Sequence, residues 1–465
     1  MTRKLSIFFL LLLVLLADNS FAQNVPDLVV SANKRYLQTK DGKPFFWLGD
    51  TGWLLFTKLK REEAIQYLDD RKAKGFNVVQ VMGLHTLSVV NMYGDSALVA
   101  RQVAKPNTTP GTSFSNPQEY DFWDHVEFVI DEAAKRGIYI GFVPVWGGNV
   151  KEGKITPQQA ETYATFLANR FGKKSNIIWL NGGDIRGSEA LDVWKAIGNT
   201  INKLDTKHLI TYHPRGRTSS SDWFHNESWL DFNMVQSGHR SYAQDTSANE
   251  ERHFGEDNWK YIDVDYALKP TKPVIDGEPS YEGIPYGLHD VTQPRWTAAD
   301  VRRYGYWSVL AGAFGYTYGQ NAVMQMYRGD KNEENSYGPL ELWNQGLNAA
   351  GASQMQYLKK LIESKKDYVN RQPSQNLVLD QGQRYNYIVA SSGNKFALFY
   401  TYTGRNFKVK MGSILGKEVK AYWYNPRNGS TTLIGKFKNT HSKEFNPPAT
   451  PQAGNDWVLI LESDL

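Results

Sequence analysis

From about residue 44 to residue 364 the chain alternates between two hydrophobic patterns. Short runs that are apolar at almost every position, such as Phe76 to Leu84 (FNVVQVMGL), predict strands buried on both faces. Between them lie stretches with helical spacing. In Lys60 to Gly75, residues Ala64, Ile65, Leu68 and Ala73 share one face and Gly75 supplies a stop signal. The same reading predicts strands at Pro44 to Trp53, Ile138 to Gly147, Asn176 to Asp184, His208 to His213, Phe232 to Gly238, Lys272 to Glu278 and Ala313 to Tyr318. Helices are predicted at Tyr120 to Gly137, Thr156 to Gly172, Ser188 to Leu204, Asn258 to Leu268, Thr297 to Gly312 and Leu347 to Ser364. Eight strands followed by helices over this length predict an α/β fold, a (β/α)8 TIM barrel. An open doubly wound sheet is the rival, but it would carry a glycine-rich phosphate loop after its first strand. The segment Gly49-Asp50-Thr51-Gly52 is not one.

The ends of the chain read differently. Residues 1–22 have a positive start (Arg3, Lys4), an apolar run from Leu5 to Leu16, and small residues Ser20 and Ala22 before Gln23. That is a signal peptide, too short for a membrane span of roughly 20 residues. Gln23, instead of cysteine, gives no sign of a lipid anchor. The expectation is an exported protein, periplasmic or secreted, of a bacterial cell envelope, with no membrane span. From Arg371 onward helical spacing stops, and short β-type runs (Asn376 to Leu379, Tyr387 to Ala390, Phe396 to Tyr402, Glu418 to Tyr424, Trp457 to Leu461) are separated by Gly, Asn and Pro turns. The predicted organisation is a signal peptide at 1–22, a barrel at 23–370 and an all-β sandwich at 371–465, packed on the barrel.

Composition narrows the chemistry. The 465 residues include no cysteine, which removes disulfides, thiolate-bound metals and thiol nucleophiles. A net charge of +5, with Lys and Arg scattered, gives no reason to expect nucleic acid as a partner. The 14 Trp, 26 Tyr and 22 Phe serve core packing in any fold, but also suit stacking on sugar rings.

Active sites of such barrels gather at the C-terminal ends of the strands. The polar residues ending the predicted strands are Asp50, His85, Trp146, Asp184, His213, Gln236 or His239, Glu278, and Tyr316 or Tyr318. Carboxylates, imidazoles and aromatics in a ring suit glycoside chemistry, in which one carboxylic acid protonates the leaving oxygen and a second carboxylate attacks or stabilises the sugar cation. Asp184 (in NIIWLNGGD) and Glu278 (in KPVIDGEPSYEG) form the strongest pair, because each sits beside glycine at the end of an apolar strand. The plainer reading, helix caps or partners of surface lysines, fits most carboxylates, but an unpaired carboxylate at the end of an apolar strand is costly unless the site uses it.

Asp276, two residues before Glu278, is expected one layer deeper in the barrel, holding an Arg or Tyr. Asp50 could equally grip sugar hydroxyls or cap a turn. His85 and His213 could bind substrate or serve the fold. With Asp50 they could make a zinc set, but no HxH or HExxH spacing backs it, so no metal and no cofactor are expected. No G-x-S-x-G is present for a serine hydrolase. Trp53, Trp146, Trp223, Tyr281, Trp296 and Trp343 fall in loops on the expected active face, as candidate sugar platforms. Loop cations Arg186, Arg215, Arg217 and Arg240 could meet substrate carboxylates.

The stretches PFFWLGDTGWLLF, LDDRKAKGFNVVQ, IIWLNGGD and PVIDGEPSYEG resemble the apiosidase-like catalytic domain of glycoside hydrolase family 140, across most of residues 30–365. The final segment resembles the β-sandwich, often labelled collagen-binding, that commonly follows it. The resemblance implies a retaining double displacement, with Asp184 as acid/base and Glu278 as nucleophile. It also implies release of β-linked apiose from galacturonic acid in the pectin rhamnogalacturonan II. The wider clan of retaining barrels has Asn directly before the acid, whereas two glycines separate Asn181 from Asp184 here; Asn181 could still contact a hydroxyl beside the reacting carbon. The candidate substrate-binding set is Asp50, His85, Trp146, Asn181, His213, Gln236, Tyr316 and Trp343. The expected partner is a pectin-type oligo- or polysaccharide, and a monomer is expected. Two other readings stay open: a related glycosidase of arabinofuranosidase or galactosidase type, and a non-catalytic carbohydrate- or matrix-binding protein.

Overall fold

A computed structural model describes residues 25–247, 252–331 and 333–464. The expected signal peptide lies outside the described residues. Eight parallel strands form the barrel: β1 (Trp47–Thr51), β2 (Val78–Leu84), β3 (Tyr139–Val145), β4 (Ile177–Ile185), β5 (Ile210–Pro214), β6 (Asn233–Gln236), β7 (Val274–Asp276) and β8 (Gly315–Tyr318). Their hydrogen-bonded order is β5-β4-β3-β2-β1-β8-β7-β6, with the two-residue strand Thr218–Ser219 added antiparallel to β6. Helices at Arg61–Ala73, Phe122–Lys135, Pro157–Phe171, Leu191–Leu204, Asn258–Ala267, Ala298–Leu310 and Ala350–Glu363 follow the strands, as the pattern predicts.

The connection from β5 to β6 departs from this rule. Its only helix is the single turn Ser221–Phe224, and β5 and β6 share no ladder. Asp231 closes that seam instead. Its N–H donates to the Ile210 carbonyl (2.8 Å), and its carboxylate accepts the Ile210 N–H (2.7 Å). Thr211 Oγ1 adds a bond to the Phe232 carbonyl (2.6 Å). Inside, Trp47, Phe232 and Phe314 meet edge to face with centroids 5.4–6.2 Å apart, filling the barrel base. Among the described residues no helix is long and apolar enough to cross a membrane.

The C-terminal domain is antiparallel. Strands Gln372–Pro373, Ile388–Ser392, Phe396–Thr401, Trp457–Ser463, Glu418–Tyr424 and Thr431–Lys438 form one sheet, in that order, and Phe407–Lys410 pairs with Ser442–Phe445 in a second. Period-two alternation gives the larger sheet two apolar faces. Ala397 and Phe399 pack on Phe407, Val409 and Phe445 of the small sheet, whereas Leu398 and Tyr400 join the core shared with the barrel. Helix Ala298–Leu310 is trapped between the two domains, with every residue from Asp300 to Leu310 buried. Across this interface Tyr306 stacks on Tyr400 (4.8 Å, 10°) and Trp259 on Tyr387 (4.1 Å, 9°). The Arg302 guanidinium grips Asp456 with two bonds of 2.9 Å.

Candidate active site

The site is built where β4 breaks its register. β4 pairs with β5 through Gly182 opposite His213, then resumes at Ile185 opposite Pro214, so Gly183 and Asp184 bulge out of the ladder. Gly182 (φ +88°) and Gly183 (φ +121°) take left-handed backbone, where a side chain would have no room. A Cβ on Gly182 would stand 2.5 Å from the Tyr212 ring, and one on Gly183 2.5 Å from the Trp146 ring. Asp184 is itself left-handed (φ +47°), an uncommon backbone for a residue with a side chain. The bulge carries the shorter acid forward, which answers how an aspartate behind two glycines reaches the cavity.

A cavity of about 790 Å³ opens at the C-terminal ends of the strands. Asp184 and Glu278 both line it, with His85, Trp146, Gln236 and His239. Glu278, only 7% exposed, has its two oxygens between two imidazoles. His239 Nε2 lies 3.1 Å from Oε1, and His213 Nε2 lies 3.1 Å from Oε2. Burial alone would raise the Glu278 carboxyl, but hydrogen bonds and charge from His213 and His239 outweigh it and hold the group down at about 2. Asp184 is open to the cavity yet enclosed by its walls. That enclosure and the nearby Glu278 charge raise it to about 6, against the opposing pull of His213 and the Gly216 N–H. One cavity thus holds a carboxyl that keeps its proton in mild acid and a carboxylate that does not.

Trp53 and Trp146 pack at 5.3 Å and both flank His213 (5.4 and 5.7 Å), while Tyr281 sets its ring edge-on to His239 (4.7 Å). Trp146 stays half-buried and turned to the cavity, the aromatic surface best placed for a sugar face. His85 is held near 4 by burial and Lys58, so it is neutral at pH 7. Lys58, Arg215, Arg217 and Arg240 also line the cavity, with Lys58 Nζ 2.6 Å from Glu333 and Arg217 Nη1 3.3 Å from Asp245.

Four expected substrate contacts have other duties. Asp50 is fully buried against the helix that follows β1, accepting Tyr67 Oη (2.6 Å) and lying 3.2 Å from Arg71 Nε. Asn181 Nδ2 donates to the Trp194 carbonyl (2.8 Å) on the helix after β4. Tyr316 Oη donates to the Val301 carbonyl (3.1 Å) on the helix after β7. Each side chain sits on the outward face of its strand. Trp343 is buried in the helix-side core, outside the cavity lining. Asp276, expected one layer deeper in the barrel and holding an Arg or Tyr, instead accepts Ser237 Oγ (2.6 Å) just after β6 and Asn258 Nδ2 (2.9 Å) from helix Asn258–Ala267. His213 acts through Glu278. Of the loop aromatics, Trp53, Trp146 and Tyr281 line the cavity, and Trp223 and Trp296 do not. Arg186 is likewise absent from the lining. Sequence reasoning missed Lys58, Gln325 and the lining run from Glu334 to Tyr337, which lie in connections without strand-end signals. Among the described residues no group of three His, Asp or Glu could hold a metal ion.

The geometry agrees with what the chain is similar to. Residues 31–369 match the family model described as "Apiosidase-like, catalytic domain", and residues 372–462 match "Putative collagen-binding domain of a collagenase". A solved structure titled only "Glycoside hydrolase" is 43% identical, with a TM-score of 0.88, covering 94% of this chain and 97% of that one. A glycoside hydrolase family 5 structure from Bacteroides vulgatus ATCC 8482 is 42% identical, with a TM-score of 0.88, covering 94% and 93%. A third structure, titled "putative glycoside hydrolase" and from the same organism, shares the fold at 17% identity and a TM-score of 0.64, covering 95% and 83%. No protein of curated function matches the chain.

Proposed function

Since the chain belongs to the apiosidase-like catalytic-domain family and is a glycoside hydrolase, we propose that it is a retaining enzyme releasing β-linked apiose from galacturonic acid in rhamnogalacturonan II side chains. One observation carries the mechanism: two carboxyl groups line one cavity, Asp184 raised by its enclosure and the Glu278 charge, and Glu278 lowered by His213 and His239, each 3.1 Å away. That split suits an acid and a nucleophile sharing one site. Asp184 donates its proton to the glycosidic oxygen as Glu278 attacks the anomeric carbon, giving a glycosyl ester on Glu278. The Asp184 carboxylate then takes a proton from water, which displaces the ester and frees the sugar with its starting configuration. His213 and His239 orient the attacking carboxylate and keep it ionised.

The acidic substrate is supported by the four basic side chains of the lining, Lys58, Arg215, Arg217 and Arg240, to which a galacturonate carboxylate can add as a further acceptor beside Glu333 and Asp245. A cleft of about 790 Å³ falls within the usual span for small-ligand sites, about 300–1,000 Å³. The leader at residues 1–22 supports export to the periplasm or beyond.

The test is incubation of wild type and Glu278→Gln with rhamnogalacturonan II side chains, following freed apiose and its anomer by NMR. Wild type should release apiose with retention, and Glu278→Gln should lose about 10⁴-fold or more in kcat. An inverted product would end the retaining mechanism. Release of another pentose or of galactose from a panel of glycosides, with no apiose, would end the proposed specificity.

A further inference from the structure

The loop after β6 brings three things to the cavity. His239 bonds Glu278, Arg240 lines the wall, and Asp245 Oδ1 lies 3.3 Å from Arg217 Nη1. Its inward ties are short: Gly287 N–H to the His239 carbonyl (2.9 Å), Gln244 Nε2 to the Tyr286 carbonyl (3.0 Å) and Gly255 N–H to Asp245 (2.7 Å). Its outward support comes from the other domain. Tyr385, on the one-turn helix Arg384–Asn386, donates its hydroxyl to both oxygens of Glu256 (2.9 and 3.0 Å). Glu256 also accepts the Tyr242 N–H (3.2 Å) and Arg303 Nη2 (2.6 Å). The Tyr385 ring packs on the Tyr242 ring (5.5 Å), and the Arg384 guanidinium lies 4.9 Å from that ring's centre.

We infer that the C-terminal domain is a working part of the active site, with Tyr385 as a positioning residue that clamps the β6 loop through Glu256 and Tyr242. The physical reason is that a catalytic constellation must be held to within a fraction of an ångström, and loops hold position only as well as their supports. Tyr242 is two residues from Arg240 and three from His239, so play at the ring–ring contact reaches both within one turn of chain. Glu256 is 1% exposed and keeps Arg303 and the Tyr242 N–H when Tyr385 is removed, so the loss loosens the loop without leaving a bare buried charge.

The experiment compares full-length Tyr385→Ala, Tyr385→Phe and Tyr402→Phe by hydrogen–deuterium exchange, with kcat and KM alongside. Tyr402 shares the interface, packs its ring on Tyr385 (5.6 Å) and donates to Asp300 (3.2 Å), so Tyr402→Phe keeps the ring contact and removes only the bond to Asp300. Tyr385→Ala is expected to speed exchange over residues 239–245 and 255–257 about tenfold and to lower kcat/KM about tenfold. Tyr385→Phe, which keeps the ring, should recover part of both, and Tyr402→Phe should change neither. Unchanged loop exchange in Tyr385→Ala overturns the clamp, and so does equal loosening by Tyr402→Phe, which would mark a general softening of the interface. The activity measurement rests on the glycosidase reading and the exchange measurement does not. A wild type without hydrolytic activity therefore ends the former while exchange still decides the latter.

Discussion

Two regions of this molecule concentrate tyrosine, tryptophan, arginine and buried carboxylate, and they use them in opposite ways. At the domain interface Asp456 accepts two bonds from Arg302 (2.9 Å each) and one from Tyr400 Oη (3.1 Å), with Arg427 Nη1 3.3 Å away. Arg303 is fully buried, bonded to Glu256, with the rings of Tyr304, Trp307, Tyr385 and Tyr402 centred 4.9–5.1 Å from its guanidinium. Each carboxylate there meets arginine and hydroxyl donors, the pairing that makes a buried charge tolerable. In the cavity Glu278 is partnered by the imidazoles of His213 and His239, each 3.1 Å away. It faces two imidazoles and an open cleft, and Asp184 faces the same cleft across from it. Charge fully paired with arginine holds two domains together; charge paired with histidine and left open is available to a substrate.

Replacing a charged group on each side of that divide should separate the two uses. The largest effect after loss of Glu278 belongs to Asp184→Asn, which removes the acid. With natural, poor leaving groups kcat/KM should fall about 10²–10⁴-fold, whereas an activated aryl glycoside should lose far less in its first step. The wild-type rate should also decline as pH rises through about 6, where Asp184 gives up its proton. That limb should vanish in the variant. A pH–rate profile on both substrate types checks it, and an unchanged limb would mean that another group supplies the proton.

Next in size is Arg302→Ala at the interface. It leaves Asp456 buried with its main partner gone, a situation that costs about 3–5 kcal/mol. Denaturant unfolding should show that loss, while kcat and KM of the folded fraction at 25 °C stay near wild type. If Arg302→Ala instead lowered kcat strongly with little change in stability, the division between the two regions would be wrong.

The same divide explains what was legible in the sequence. Strand ends were readable, because buried parallel strands are continuous apolar runs closed by polar residues, and all eight fall within a few residues of their expected places. Which way a residue points was not. Alternation marks the faces of a sheet only when one face is wet. A barrel strand is dry on both, so nothing in WLGDT or GYTY tells inward from outward. Asp50, Asn181 and Tyr316 therefore read as cavity residues although their pleat turns them to the helices. Asp184 and Glu278 escaped that error because glycines beside them break the regular strand, and that break was itself visible. In the sandwich, Thr431–Lys438 was missed because, as an edge strand, it carries exposed Thr431, Thr432 and Leu433 and a glycine at 435.

The smallest effect is on stability, and its sign sharpens the comparison. Asp184 has a folded value raised to about 6 from an ordinary 3.8. A group raised on folding favours the folded state fully below its unfolded value, and that contribution is lost as pH rises through the folded one. Above about pH 6 the ionised Asp184 therefore works against the fold, through its enclosure and the Glu278 charge. Glu278 runs the other way: lowered to about 2 from 4.5, it favours folding above about 4.5 and loses that contribution only as pH falls toward 2. Asp184→Asn should accordingly raise Tm by about 1–2 °C at pH 8 and leave it unchanged near pH 3.5. Scanning calorimetry at the two pH values reads the difference directly. An interface carboxylate such as Asp456, engaged by Arg302, should show the reverse at pH 8, with its replacement by Asn destabilising. Equal destabilisation by Asp184→Asn at pH 8 would mean that Asp184 is held by its surroundings as Asp456 is, and not kept free for a proton transfer.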